Sequence, residues 1–196
     1  MFGRLPSSVR QALFGNVLMI VFCGFYLAWW LIAFRFDNPV RGLKSGWLLI
    51  PAVIEGLAAV VFIVQGITAE KADHALIPNY FFIVIGIAAY IVAAIVTVAV
   101  FKRQMTLELF LFIGWGALAL AEVNAFFGSG KLAPTASLVM AVLIVFVMLA
   151  SLVCYVLFYR LDPRSALYDG AIPLILVMVS MAALSVCLVA RPGLKQ

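Results

Sequence analysis

Six apolar runs, each about as long as the hydrocarbon core of a bilayer is thick, divide this chain and leave little else. They occupy residues 16–34, 47–67, 80–101, 106–127, 136–159 and 171–190, with 19 to 24 residues apiece. A helix needs roughly 20 apolar residues to cross that core. In lipid no water pairs with a bare N–H or C=O, so a spanning run must close its hydrogen bonds within itself as a helix. Spanning strands would be about half as long and would alternate in polarity. The runs therefore predict an all-α integral membrane protein of six transmembrane helices, forming a single transmembrane domain over residues 1–196. Composition agrees. The chain is 67% hydrophobic and 11% charged, whereas a soluble domain averages roughly 25% charged residues.

Arg4 and Arg10 precede the first run, as in a signal peptide. The run is too long for a typical signal core and no A-x-A cleavage pattern follows, so it is read as the first membrane helix. Residues 1–15 are expected to form an interfacial helix, with Leu5, Val9, Leu13 and Phe14 on one face, or else a frayed tail. Trp29, Trp30, Trp47, Tyr80, Tyr159 and Tyr168 fall near run ends, where amphipathic rings favour the headgroup level.

The net charge of +5 comes from 13 basic and 8 acidic residues. The basic residues sit between apolar runs, so they read as topology signals and contacts to the lipid bilayer, with no nucleic-acid partner. Connections after the first, third and fifth runs carry Arg35, Arg41, Lys44, Lys102, Arg103, Arg160 and Arg164; those after the second and fourth carry Lys71 and Lys131. The bias places the first set in the cytoplasm and both termini outside. Four basic residues in the termini narrow it. The expected location is the bacterial inner (plasma) membrane.

The first and last of the basic connections look alike. One reads Arg35-Phe36-Asp37-Asn38-Pro39-Val40-Arg41, then Gly46 and Ile50-Pro51; the other reads Arg160-Leu161-Asp162-Pro163-Arg164, then Gly170 and Ile172-Pro173. Either cytoplasmic turns converge on Arg, Asp and Pro, or one helical hairpin is used three times. Three hairpins around an axis would leave a path through each protomer, and internal repeats are common in transport proteins.

Ionisable groups at membrane depth are costly and therefore candidates for function. Glu55 lies in the second run, Glu108 and Glu122 in the fourth. A carboxylate in the first turn, like Glu108, complements a helix N-terminus. Glu55 is expected to face other helices, neutral or hydrogen-bonded. The candidates for a pore or substrate path are Glu55, Tyr90, Trp115, Glu122 and Asn124. Cys23, Cys154 and Cys187 lie in apolar runs without a CxxC pair, which reads as packing. The lone His74 is unaccompanied by a Cys/His/Asp/Glu cluster, so no metal site is expected. No catalytic motif appears and no cofactor is implied, so the chain is not read as an enzyme.

Over residues 80–170 a short basic turn (Lys102-Arg103), an aromatic helix start (Leu107-Glu108-Leu109-Phe110-Leu111-Phe112) and a glycine-bearing loop (Gly128-Ser129-Gly130) follow one another. In this the chain resembles the acetate and succinate channel family. Asn38-Pro39-Val40-Arg41-Gly42-Leu43 is similar to that family's NPxPLGL signature, with Arg41 in place of a proline. Size, helix number and hairpins likewise resemble the acid-activated urea channel and amide channel family. The resemblance implies three hairpins around a narrow protomer pore, and it assigns no pore residue of this chain. The expected function is a passive channel or facilitator for a small neutral or weakly acidic solute (urea, an amide or a short carboxylate), working as a homo-oligomer. The alternative is a non-transporting membrane subunit or scaffold of a larger complex.

Overall fold

The computed structural model describes residues 5–33, 45–70, 75–100, 102 and 107–190. The 38–43 segment, His74 and the Glu108 side chain lie outside them. Every regular element among the described residues is helical: α1 (Ser7–Ala33), α2 (Leu49–Thr68, entered through a 3-10 turn at Ser45–Leu48), α3 (Tyr80–Ala99), α4 (Leu107–Gly128), α5 (Pro134–Phe158) and α6 (Pro163–Val189). Six helices are long and apolar enough to cross a membrane.

Two helices begin eight or more residues before the apolar runs that predict them. α1 starts at Ser7, nine residues ahead of Asn16, so residues 7–15 continue the first spanning helix. Its buried positions there, Ser8, Val9, Ala12, Leu13 and Asn16, recur every three to four residues and form one face. At α6 the signal is a cap. Asp162 holds an extended backbone, and its carboxylate accepts hydrogen bonds from the Arg164 and Ser165 amides at 3.2 Å each. Pro163 takes the first helical position, where its missing N–H leaves no bond unmade. The extension brings Asp169 and Gly170 into the helix and leaves Pro173 inside it. The first and last hairpins are therefore not alike here: Pro51 lies in the first turn of α2, but Pro173 lies well within α6.

The helices alternate in direction, and α4 runs through the middle. It packs on α2, α3 and α5, and its side chains bond to α1 and α6. Its most apolar 18-residue stretch is 56% buried, against 6% for α3, which lies outermost and packs mainly on α4. The tightest pair is α1 with α2. A Cβ on Gly15 would stand 2.8 Å from the Ile63 nitrogen and 2.9 Å from the Ala59 carbonyl oxygen, so only glycine permits this approach.

One end is pinned by polar groups. Gly130, at φ +70°, turns the chain after α4 so that the Lys131 and Leu132 amides both bond the Phe126 carbonyl. The Lys131 ammonium then reaches Ser8 at the start of α1 and Glu70 just past α2. Outward-facing Leu57, Ile83, Val92, Phe146 and Val186 are exposed, as suits helices solvated by lipid.

Candidate functional site

The buried side chains of α4 at positions 115, 119, 122 and 126, together with half-buried Phe112, follow the spacing of one helix face. At 100° per residue they fall within about 80° of arc, and Phe112 to Glu122 spans about 15 Å along the axis. Along this stripe lie an aromatic cavity, a tryptophan–methionine contact and a buried acid–amide pair.

The cavity, about 230 Å³, lies between α1, α4, α5 and α6, at the end opposite Lys131. Tyr26 and Trp30 come from α1, Phe112 from α4, Tyr155 and Phe158 from α5, and Asp169 from α6. Trp30 is fixed in place. Its indole N–H donates to the Leu167 carbonyl at 3.0 Å, and its ring lies where a Cβ on Gly170 would be. The Trp30 and Phe158 ring centres are 5.6 Å apart, and those of Tyr155 and Tyr159 are 5.7 Å apart, edge to face.

Asp169 is 7% exposed. The Cys154 thiol lies beside its carboxylate on the cavity wall, yet Oδ2 has no hydrogen-bond partner among the described residues, and neither has the Tyr155 hydroxyl. Pro173, which also lines the cavity, has no N–H to give to the Asp169 carbonyl four residues earlier. The residue that brings a carboxylate to the cavity thus also carries a carbonyl without its usual helical donor. Buried polar groups are ordinarily paired, so two unpaired side-chain oxygens beside one cavity are unusual for a packing contact.

Deeper in along α4 lies Trp115. Its indole N–H points to the Met181 sulfur at 3.2 Å and joins α4 to α6. Two turns further along α4, Asn16 Nδ2 donates to Glu122 Oε1 at 2.9 Å. Both side chains are 0% exposed, and Asn16 Oδ1 and Glu122 Oε2 are unpaired. The two orphaned oxygens belong to the same two side chains. A proton on the carboxyl would give Glu122 a donor of its own in this buried pair.

Of the residues singled out from sequence, Trp115 and Glu122 share the stripe. Asn124 faces α3 instead: its amide donates to the Ile77 carbonyl at 2.7 Å and to Asn79 Oδ1 at 2.8 Å, anchoring the chain that enters α3. Tyr90 is half-buried on outlying α3, away from the cavity. Glu55 is half-buried on α2 and makes no hydrogen bond among the described residues. Sequence reasoning missed Asn16, Tyr26, Tyr155 and Asp169 as site residues. For Asp169 the Asp162-Pro163 cap was the available signal, since it moves the helix start and carries position 169 to membrane depth.

No protein-family model matches the chain, and no curated protein and no solved structure is significantly similar to it. Among the described residues no group of three or more His, Cys, Asp or Glu side chains is placed to hold a metal ion.

Proposed function

We propose that this protein is a facilitator that moves a small solute across the membrane within a single chain, along the buried stripe of α4. The observation that carries the proposal is the alignment of two polar stations on that stripe, separated by the Trp115–Met181 contact. An opening at one end, a barrier and a second station fit a protein that exposes its binding site to one side at a time better than they fit an open pore. Alternating access rocks helices against one another around a site, and Pro173, inside α6 at the cavity, leaves that helix one backbone hydrogen bond short there. In this reading the Asp169 end faces the cytoplasm, as the basic connections around it direct. Outlying α3 supplies the contact between copies of the chain in a homo-oligomer.

Flux into proteoliposomes tests the proposal, with a panel of urea, acetamide, acetate, glycerol and small alkylammonium salts. We expect flux above that of empty vesicles for at least one solute. Trp115→Phe, which removes the N–H donor and keeps an aromatic ring, should raise the rate for that solute. Empty-vesicle rates across the whole panel would overturn the reading and favour a non-transporting subunit.

A further inference from the structure

The class of solute can be argued from the cavity itself. Its walls are aromatic faces, and its one acidic group is the Asp169 carboxylate, whose Oδ2 is without a partner among the described residues; the Cys154 thiol and the Tyr155 hydroxyl are its other polar side chains. No basic residue is among the described residues that line it. An anion would meet a carboxylate and find no cationic partner. A lipid chain would fill the aromatic volume and leave Asp169 Oδ2 unpaired in an apolar surrounding, the costly outcome for a buried acceptor. A cation meets both needs at once. It sits over ring faces, whose quadrupole attracts positive charge, and it compensates the carboxylate.

We propose that this cavity is a binding site for a small organic ammonium ion, held by the aromatic rings and countered by Asp169. Size limits the ligand. A cavity of about 230 Å³ is below the roughly 300 Å³ at the lower end of pockets that hold drug-sized molecules, so the ligand is a compact head such as a tri- or tetra-alkylammonium group. This differs from the neutral or weakly acidic solute expected from sequence. The binding site stands independently of the facilitator reading, and only its part in transport rests on that reading.

Binding to the intact purified protein in nanodiscs, followed by quenching of tryptophan fluorescence and by calorimetry, tests the site. The probes are choline and its uncharged isostere 3,3-dimethylbutan-1-ol. Choline should bind and the isostere should bind at least about thirtyfold more weakly, as should choline to Asp169→Asn, the loss expected when one partner of a buried charge pair is removed. Tyr155→Phe should keep choline binding and Tyr155→Leu should weaken it about fivefold, because the ring face carries the contact. Residual binding of the isostere to Asp169→Asn at wild-type strength reports that the variant is folded. Equal affinity for choline and its isostere, undiminished choline binding by Asp169→Asn, or no binding of either probe would each overturn the proposal. Choline binding without choline flux into proteoliposomes would leave the site standing and overturn its role in transport. Flux of urea or acetate without choline binding would do the reverse.

Discussion

The pair formed by Asn16 and Glu122 makes a quantitative test of how the bundle is held together. Both side chains are fully buried and joined by one hydrogen bond, with one oxygen of each unpaired. Replacing Glu122 with leucine keeps roughly the same bulk and strands the whole Asn16 amide. An orphaned buried polar group costs about 1–3 kcal/mol in water-soluble proteins. Inside a bilayer the unfolded helices also find partners, and interhelical hydrogen bonds have averaged about 0.6 kcal/mol with a maximum of about 1.7. The membrane value governs here, so Glu122→Leu and Asn16→Leu should each destabilise by about 0.6–1.7 kcal/mol. The double leucine variant removes both members, and its loss should fall short of the sum of the single losses by about 0.6 kcal/mol. Glu122→Gln should be close to neutral, within about 0.5 kcal/mol, because glutamine keeps the acceptor for Asn16 Nδ2 and offers an N–H to Asn16 Oδ1. Reversible unfolding in mixed detergent–lipid micelles, or steric trapping in bicelles, measures all four variants. Additive losses in the double variant, or Glu122→Gln as damaging as Glu122→Leu, would refute the reasoning.

Two further perturbations read other parts of the molecule. A methyl group on Gly15 would come 2.6 Å from Ile63 Cγ1 and within 3 Å of the α2 backbone, so Gly15→Ala should cost about 1–3 kcal/mol by overpacking. Gly24→Ala on the same helix meets nothing within 4 Å and should be neutral or stabilising by up to about 1 kcal/mol in the same unfolding assay. At the start of α6, the bonds from Ser165 and then Arg164 hold the Asp162 carboxyl below the usual carboxylate range. Because the folded value is the lower one, the cap's contribution is present above the ordinary carboxylate pKa and is lost as pH falls through the folded value. Asp162→Ala should therefore speed amide exchange at Arg164 and Ser165 at neutral pH and match the wild type in strong acid. A difference that persists in acid would show that the carboxylate is not the cap.

The helices were legible because their cause is local. Each run of apolar residues must satisfy its own backbone in lipid, whatever its neighbours do, and length then settles the rest. The end of α4 was legible in part for the same reason, since Gly128-Ser129-Gly130 marks a chain reversal and Gly130 takes the positive φ that glycine permits. The central position of α4 was not legible. Its mean hydropathy, 1.5, is the lowest of the six spans, and that of outlying α3 is 2.8. In water the most apolar helix would be buried; in a bilayer lipid solvates apolar faces as well as protein does, so the helix with more polar and small residues goes inside.

The same inversion explains why half of the site was hidden. Asn16 and Asp169 both count against an apolar window, so hydropathy ends a span at such residues: the first apolar run begins at Asn16 and the last begins beyond Asp169. In the folded chain each lies inside a spanning helix. Asn16 is there because Glu122, 106 residues away, accepts its bond. Asp169 is there because an aromatic cavity assembled from four helices surrounds it. Neither partner is visible in the local sequence, and no hydropathy scale carries pairings across such distances. What is visible is the backbone chemistry that overrides the window. Asp162 followed by Pro163 begins a helix regardless of what comes seven residues later. Where a cap signal and a hydropathy boundary disagree in a membrane protein, the residues between them are carried into the bilayer against their own cost. Such a position needs a partner from elsewhere in the fold, and that makes it the first place to look for a site.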